Sequence, residues 1–408
     1  MLTYAYERRR PENTLLYEVI RDNAETLYAA CDTEGTPLPD FVKREVEGYL
    51  VCGLLCRGFA TMQCTACKER RLVAFSCKGR GFCPSCTGRR RAQTAANLTD
   101  YVLADDVDLR QWVLTLPSAL RARLAYNSAL LSRVCAVFAD TVMRFYAKRM
   151  QSEIAQSGQS GAITVVQRTS SDLRLNPHIH LVALDGVYAL DGDEPAFHKL
   201  TQVTTHEVVD VLSRAVTRIE KLLTLKSTVD VSSVAADDAA SNQPLLSAIG
   251  ASIPPAGPTV AQGAAPSKPR TGATGLRIRA PRSVELDGYS LHAATRAGAN
   301  DPRAKEALLR YVLRPPIAQE RITHGDDGLV RIVLKKPFPD GTFAIDIDPL
   351  SLLLRLAAAV PAPRFHTVRY SGCLGPASKL RPLIIKATPE PITPDHAVLR
   401  RQRRRRRR

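Results

Sequence analysis

Two histidines one residue apart head an apolar run in Asn176-Pro177-His178-Ile179-His180-Leu181-Val182. In an extended strand successive side chains alternate faces, so His178 and His180 point one way while Ile179 and Leu181 pack on the other side. Convergent imidazoles can hold a divalent metal. Taken alone, the motif is more often the polar face of a half-buried strand; the rest of the chain argues for the metal. A preceding strand, from Ala162 to Arg168, feeds the histidine strand through a loop. In the simplest hairpin register Gln167 faces His178 on the same side of the sheet. That register makes Gln167 the expected third ligand, ahead of Asp172 and Asp185, with His292 a weaker candidate.

A second cluster is built from thiols. Cys64-Thr-Ala-Cys67 and Cys83-Pro-Ser-Cys86 are two Cys-x-x-Cys knuckles separated by a loop long enough to bring them together on one ion. Soft sulfur ligands in a tetrahedral set point to structural Zn²⁺, with an iron–sulfur centre as the alternative. Cys77 is a fifth candidate that could replace one ligand. Cys52 and Cys56, one turn apart on an amphipathic helix expected over residues 39–57, read as core thiols. Around these cysteines lie eight bases, Lys68, Arg70, Arg71, Lys78, Arg80, Arg89, Arg90 and Arg91, against the single acid Glu69. Four thiolates on Zn²⁺ carry only two net negative charges, so the module stays basic and suits nucleic acid.

The third group is Tyr311, in Ala304-Lys-Glu-Ala-Leu-Leu-Arg-Tyr-Val-Leu-Arg-Pro-Pro. Leu308, Leu309, Val312 and Leu313 form one helical stripe, with Tyr311 on its border and Arg314 one turn further on. Pro315 and Pro316 stop the helix. By itself a border tyrosine is a packing residue with a wet hydroxyl.

Placing these groups takes 408 residues, enough for two or three domains. The formal charge is +17, and Arg400 to Arg408 hold eight arginines; without them the body is still basic. Nucleic acid is therefore the default partner, with acidic proteins and anionic lipid as alternatives. The first residues lack the apolar segment of a signal peptide, no apolar run approaches the roughly 18 residues that span a bilayer, and clustered cysteines argue for metal over disulfides. These features predict a cytoplasmic protein.

Along the chain, residues 1–37 read as a weakly patterned, partly helical arm and 38–100 as the zinc-binding, DNA-binding module. Residues 101–225 carry a strand at Trp112–Leu116, a long helix over 118–148, the histidine strand, and a helix opened by a capping box at Thr204 and Glu207. Residues 226–275, rich in Ala, Ser, Pro and Gly, read as a flexible insertion. Residues 276–392 hold the tyrosine helix, a hairpin, a further helix over 348–360 and a strand over 365–370. Residues 393–408 form a basic tail, either a nucleic-acid arm or a reading-frame artefact. The fold class is α+β, with a mainly antiparallel central sheet and flanking helices.

Together the knuckles, Asn-Pro-His-Ile-His with Asp-Gly-Val-Tyr after it, and Arg-Tyr-Val-Leu-Arg-Pro-Pro with the later Asp-Gly-Thr and Val-Arg-Tyr-Ser-Gly closely resemble the rolling-circle insertion-sequence transposases of the HUH class. The group is the "IS ninety-one" or ISCR family, and the resemblance covers about residues 38 to 385. It implies an HUH-type catalytic domain behind a transposase zinc-binding domain. It further implies a nucleoid-associated bacterial enzyme that nicks one DNA strand at the element's ends, through a 5′-phosphotyrosine, and rejoins strands. On that basis His178 and His180 match the metal pair, Tyr311 the nucleophile, and Cys64, Cys67, Cys83 and Cys86 the zinc-binding region. Some members carry two tyrosines one turn apart; here Ala307 precedes Tyr311 by one turn, so the chain resembles the single-tyrosine branch.

The residues agree with that chemistry. A free phenol has a pKa of about 10 and is roughly a thousandth ionised at pH 7, so it needs a cation nearby. Mg²⁺ or Mn²⁺ on the histidines would polarise the scissile phosphate. Lys78, Arg80, Arg89, Arg90 and Arg91, with Arg310 and Arg314 beside the tyrosine, are the expected DNA contacts, on single-stranded or hairpin element ends. Two other classes use the same residues: a zinc-dependent DNA-binding protein with an inactive catalytic domain, and a metal-dependent nuclease that activates water. Tyr289 and Tyr370 are the fallback nucleophiles.

Overall fold

The structure, a computed structural model, describes residues 9–65, 67–154, 157–227, 259–260 and 275–386. Nearly all of the expected insertion at 226–275 and the whole basic tail lie outside them.

The alternation in the histidine strand divides the whole catalytic sheet into two faces. Strands β3 (Leu109–Thr115), β4 (Gly161–Thr169) and β5 (Leu175–Leu184) lie at its centre, with β5 between the other two. The path continues to β16 (Val368–Gly372) beyond β4, and to β11 (Tyr289–His292), β10 (Ser283–Leu286) and β9 (Leu276–Ala280) beyond β3; each of these pairings is antiparallel. Trp112, Leu114, Ile179 and Leu181 face one way, into a core with α4 (Ser118–Tyr126), α5 (Ser128–Ile154) and α6 (Thr205–Ser227). Residues of the opposite parity, Ile163, Val165, Val182 and Leu184, meet Leu308, Leu309 and Val312 of α7 (Pro302–Val312) on the other face. Burying each such side chain stabilises the fold by about 1.5–3 kcal/mol, which leaves little freedom for a one-residue slip of register.

Local chemistry sets the helix ends. The expected single helix over 118–148 is two, because Asn127 adopts extended backbone and its Oδ1 accepts from Leu130 N at 2.8 Å, starting α5 afresh. The capping box of α6 is present: Glu207 N donates to Thr204 Oγ1 at 3.2 Å, and Thr204 N donates back to Glu207 Oε2 at 2.7 Å. Asp301 caps α7, with Pro302 in its first turn.

Within the segment read as an arm, residues 15–33 form a packed helix. Thr14 caps α1 (Leu15–Thr33), whose Leu16, Ile20 and Leu27 are buried with Val42 and Val46 of α2 (Asp40–Val51). These helices share a core with β13 (Ile322–His324), β14 (Val330–Val333), β15 (Ala344–Ile347) and α8 (Pro349–Ala359). The N-terminal module thus packs into the C-terminal half of the chain, and Cys83 and Cys86 belong to that same core.

Candidate functional site

β5 carries His178 and His180 with their rings 4.9 Å apart. The predicted register holds: Gln167 on β4 and Thr115 on β3 flank His178, and Val165 and Val113 flank His180. Asn176 O lies 2.7 Å from His178 Nδ1 and accepts its proton, leaving Nε2 with a lone pair. His180 is buried, with Nδ1 2.6 Å from the amide of the buried Gln111 on β3, while its Nε2 has no hydrogen-bond partner. With the Gln111 amide turned so that Oε1 accepts from Nδ1–H, His180 also presents a free Nε2; the assignment of O and N in such an amide follows the hydrogen bonding. Burial lowers both pKa values, with Arg314 contributing at each; for His180, burial and then His178 bring it to about 2. Both rings are therefore neutral, the state that binds metal.

Tyr311 stands over this pair. Its ring centroid is 6.1 Å from that of His180 and nearly perpendicular to it, at 83°. Half of Tyr311 is exposed, whereas Leu308, Leu309 and Val312 anchor the rest of the helix. Arg314 stacks on the tyrosine ring, Cζ to centroid 4.5 Å. Gln167 ties the two elements together: its Nε2 donates to Val312 O at 2.7 Å and its Oε1 accepts from Arg314 Nε at 3.2 Å. Its amide pins the end of the tyrosine helix, and a ligand role would require Oε1 to leave Arg314.

The alternative ligands lie elsewhere. Asp185 is fully buried beneath the bidentate Arg110, both bonds 2.9 Å, and also accepts from Tyr146 Oη at 2.8 Å. Asp172 takes Ser170 and Arg174. His292 is exposed and opposes Val113, two strands from His180. Of the fallback tyrosines, Tyr289 is buried and donates to Glu220 at 2.5 Å, and Tyr370 lies at the sheet edge beneath Arg381.

The thiol cluster differs from the expected one. Cys52, Cys77, Cys83 and Cys86 converge, with all four sulfurs within 4.8 Å of one another. The Sγ–Sγ separations are 3.4 Å for Cys77–Cys86, 3.6 Å for Cys52–Cys86 and 3.7 Å for Cys52–Cys83. A tetrahedron of sulfurs about 2.3 Å from Zn²⁺ has edges of about 3.8 Å, so the set fits that ion. Hydrogen bonds from neighbouring thiols hold Cys86 below the usual thiol range and Cys52 at about 7, while Cys77 and Cys83 are pushed up. Gly79 N donates to Cys77 Sγ and Cys77 N to Cys52 Sγ, at 3.3 and 3.4 Å.

Cys64 and Cys67 are outside this cluster, exposed at the tip of the hairpin formed by β1 (Phe59–Gln63) and β2 (Arg70–Ala74). Five paired residues at about 3.3 Å each separate tip from base. At the base, Gly53 N donates to Phe75 O at 2.9 Å, which brings Cys52 beside Cys77. Cys52, expected as a core thiol, thus joins the sulfur set, whereas Cys56 is exposed beyond the end of α2.

The expected DNA contacts divide. Arg80 donates to Phe365 O and Ala362 O, Arg90 to Lys78 O and Gly79 O, and Arg310 pairs with Glu306 at 2.7 Å. Lys78 and Arg89 are exposed, Arg91 is half-buried, and Arg314 belongs to the tyrosine site. Sequence reasoning missed Gln111; its place on the His180 face follows from the period of β3 once β3 and β5 are paired.

Residues 161–381 match the family described as Putative transposase, and residues 20–116 match the Transposase zinc-binding domain. No curated protein and no solved structure matches. Among the described residues, no helix is long and apolar enough to cross a membrane.

Proposed function

The chain belongs to the transposases of the IS ninety-one type, with their zinc-binding domain at its N-terminal end, and we propose that it cleaves and rejoins single-stranded DNA at element ends with Tyr311 as nucleophile. One observation carries this reading: the buried, unpartnered Nε2 of His180 sits beside His178 and beneath the ring of a half-exposed tyrosine. A buried acceptor without a partner costs about 1–3 kcal/mol, a cost that a bound cation removes.

His178 and His180 would hold Mg²⁺ or Mn²⁺ through their Nε2 atoms, with Gln167 the expected third ligand. When bound, such an ion supplies charge to the scissile phosphate's non-bridging oxygens. Tyr311 Oη is free to approach phosphorus, since it makes no hydrogen bond among the described residues. Its attack forms the tyrosyl–phosphate bond, breaks the bond to the 3′ oxygen, and leaves a 3′-hydroxyl that can later reverse the step. Arg314, stacked on the ring, adds positive charge where the phosphate must come. Gln167 holds the last turn of the tyrosine helix against the metal strand, fixing the distance between nucleophile and histidines. With Ala307 one turn before Tyr311, a second transfer has to reuse this same tyrosine or one from another copy.

The zinc domain has a structural role in this reading, with Cys52, Cys77, Cys83 and Cys86 as ligands. The test is covalent trapping: full-length protein incubated with a labelled single strand carrying an element end, and Mn²⁺, should give a protein–DNA adduct stable to denaturant. Tyr311→Phe should bind the strand and give none. A water-activating nuclease would cut without an adduct, and an inactive domain would do neither.

A further inference from the structure

Between the zinc domain and the catalytic sheet runs a cleft of about 140 Å³, lined by Arg91 and Thr94 of α3 (Pro84–Asn97), by Gln167 of β4 and Ser170 just after it, and by Arg314 and Lys335. Its cations have donors to spare. Arg91 Nε is buried without a hydrogen-bond partner; Arg321, beside the cleft and within electrostatic reach of Lys335, also leaves its buried Nη1 without one, its remaining nitrogens donating to Val333 O and Ser171 O. The ammonium of Lys335 makes no hydrogen bond or ion pair among the described residues. No carboxylate there forms an ion pair with Arg91, Arg314, Arg321 or Lys335. Loss of surrounding water, then Arg314, Arg321 and Arg91, bring the Lys335 ammonium down to about 8, so the charges of all three arginines reach it.

Like charges gathered with no carboxylate in an ion pair with them, and with buried donors unspent, are unfavourable unless an anion from outside joins them. The cleft is small for a duplex and wide enough for a phosphate with its waters. It is also continuous with the proposed reaction centre, because Arg314 both lines it and stacks on Tyr311.

We propose that Arg91, Arg314, Arg321 and Lys335 hold a backbone phosphate of the single strand next to the scissile one, so that α3 of the zinc domain forms one wall of the DNA channel. This rests on the strand-cleavage reading above. It gives the zinc cluster a route to the substrate: Cys83 caps α3, Cys86 lies in its first turn, and Arg91 follows on the same helix. The shared core with β13–β15 and α8 holds that helix against the catalytic half.

The test measures binding of a fluorescent single strand of mixed sequence to full-length Tyr311→Phe protein across a range of salt. Arg91→Gln and Lys335→Gln, added to that background, should each weaken binding about tenfold at low salt and reduce the slope of log affinity against log salt by about 0.7, the value for one single-strand phosphate contact. Zinc content should not change. Arg144→Gln, an exposed arginine of α5 on the far side of the sheet, should leave both quantities as they were. An unchanged slope in the Arg91/Lys335 double variant with zinc retained overturns the proposal, as does an equal loss in Arg144→Gln. Equal losses on duplex DNA overturn the single-strand assignment. Wild-type adduct formation, measured separately, distinguishes the two levels. A normal adduct with unchanged slopes defeats the cleft alone. Reduced slopes with no wild-type adduct keep the phosphate site and defeat the cleavage reading.

Discussion

The histidine pair and the cysteine cluster solve the same problem, bringing side chains able to bind metal to one point, by opposite routes. His178 and His180 share one strand, and the two-residue period places them together whatever the rest of the chain does. The four thiols come from the end of α2, the turn after β2 and the first turn of α3, so their meeting depends on how three elements close. Ligand geometry held within one element is legible from spacing; geometry assembled across elements is not.

The largest effect expected from this contrast is at the cysteines. Cys52→Ser or Cys77→Ser should release zinc and loosen the N-terminal module, since structural Zn²⁺ contributes on the order of 10 kcal/mol to a small domain. Cys64→Ser and Cys67→Ser should keep zinc at the wild-type ratio. Metal analysis with limited proteolysis checks both, and zinc lost on changing the hairpin pair would restore the assignment by knuckles. A turn defect offers a subtler break: a Cβ on Gly79 would collide with the Glu45 carboxylate, which accepts from Gly81 N at 2.7 Å. Gly79→Ala should therefore weaken zinc retention without touching a ligand.

Next comes the histidine site. His178→Ala or His180→Ala should abolish strand cleavage in Mn²⁺ while zinc content stays constant, and brief EDTA treatment should stop cleavage without removing zinc from the thiol cluster. Cleavage that persists in excess chelator would shift the chemistry to arginine, with Arg314 and Arg310 to be changed next.

Gln111→Leu should cost about 10–100-fold in Mn²⁺ affinity, the usual effect of losing the group that orients a metal-binding imidazole, with activity regained at saturating metal. Full Mn²⁺ affinity in that variant would mean that His180 is held by its burial alone.

The smallest effect separates two roles for Gln167. As a ligand, its loss in Gln167→Ala raises the Mn²⁺ concentration needed and spares the maximal rate. As the clamp on Val312 and Arg314, its loss lowers the maximal rate at saturating Mn²⁺ by about tenfold, for about 1–1.5 kcal/mol of hydrogen bonding, with little change in metal requirement. A titration of rate against Mn²⁺ decides between them.

By itself the sequence determined the α+β class, the facing of Gln167 and His178, the capped helix at Thr204, and the amphipathic helix that ends at two prolines with Tyr311 on its border. Each follows from a local rule: strand period, capping chemistry, or helical stripe. Only the tertiary structure decided that Cys52 and Cys77 join Cys83 and Cys86, because the paired hairpin carries Cys64 and Cys67 to its far end. Tertiary packing also set the place of Gln111, which needs β3 laid beside β5, and the burial of the helix over 15–33 in a core, since the apolar partners of Leu16 and Ile20 include residues some three hundred positions along the chain. The approach of Tyr311 to His180 is of the same kind. The tyrosine helix reads locally as a packing element, and its border residue meets the imidazole only because Leu308, Leu309 and Val312 bury against the sheet face that also carries the histidines.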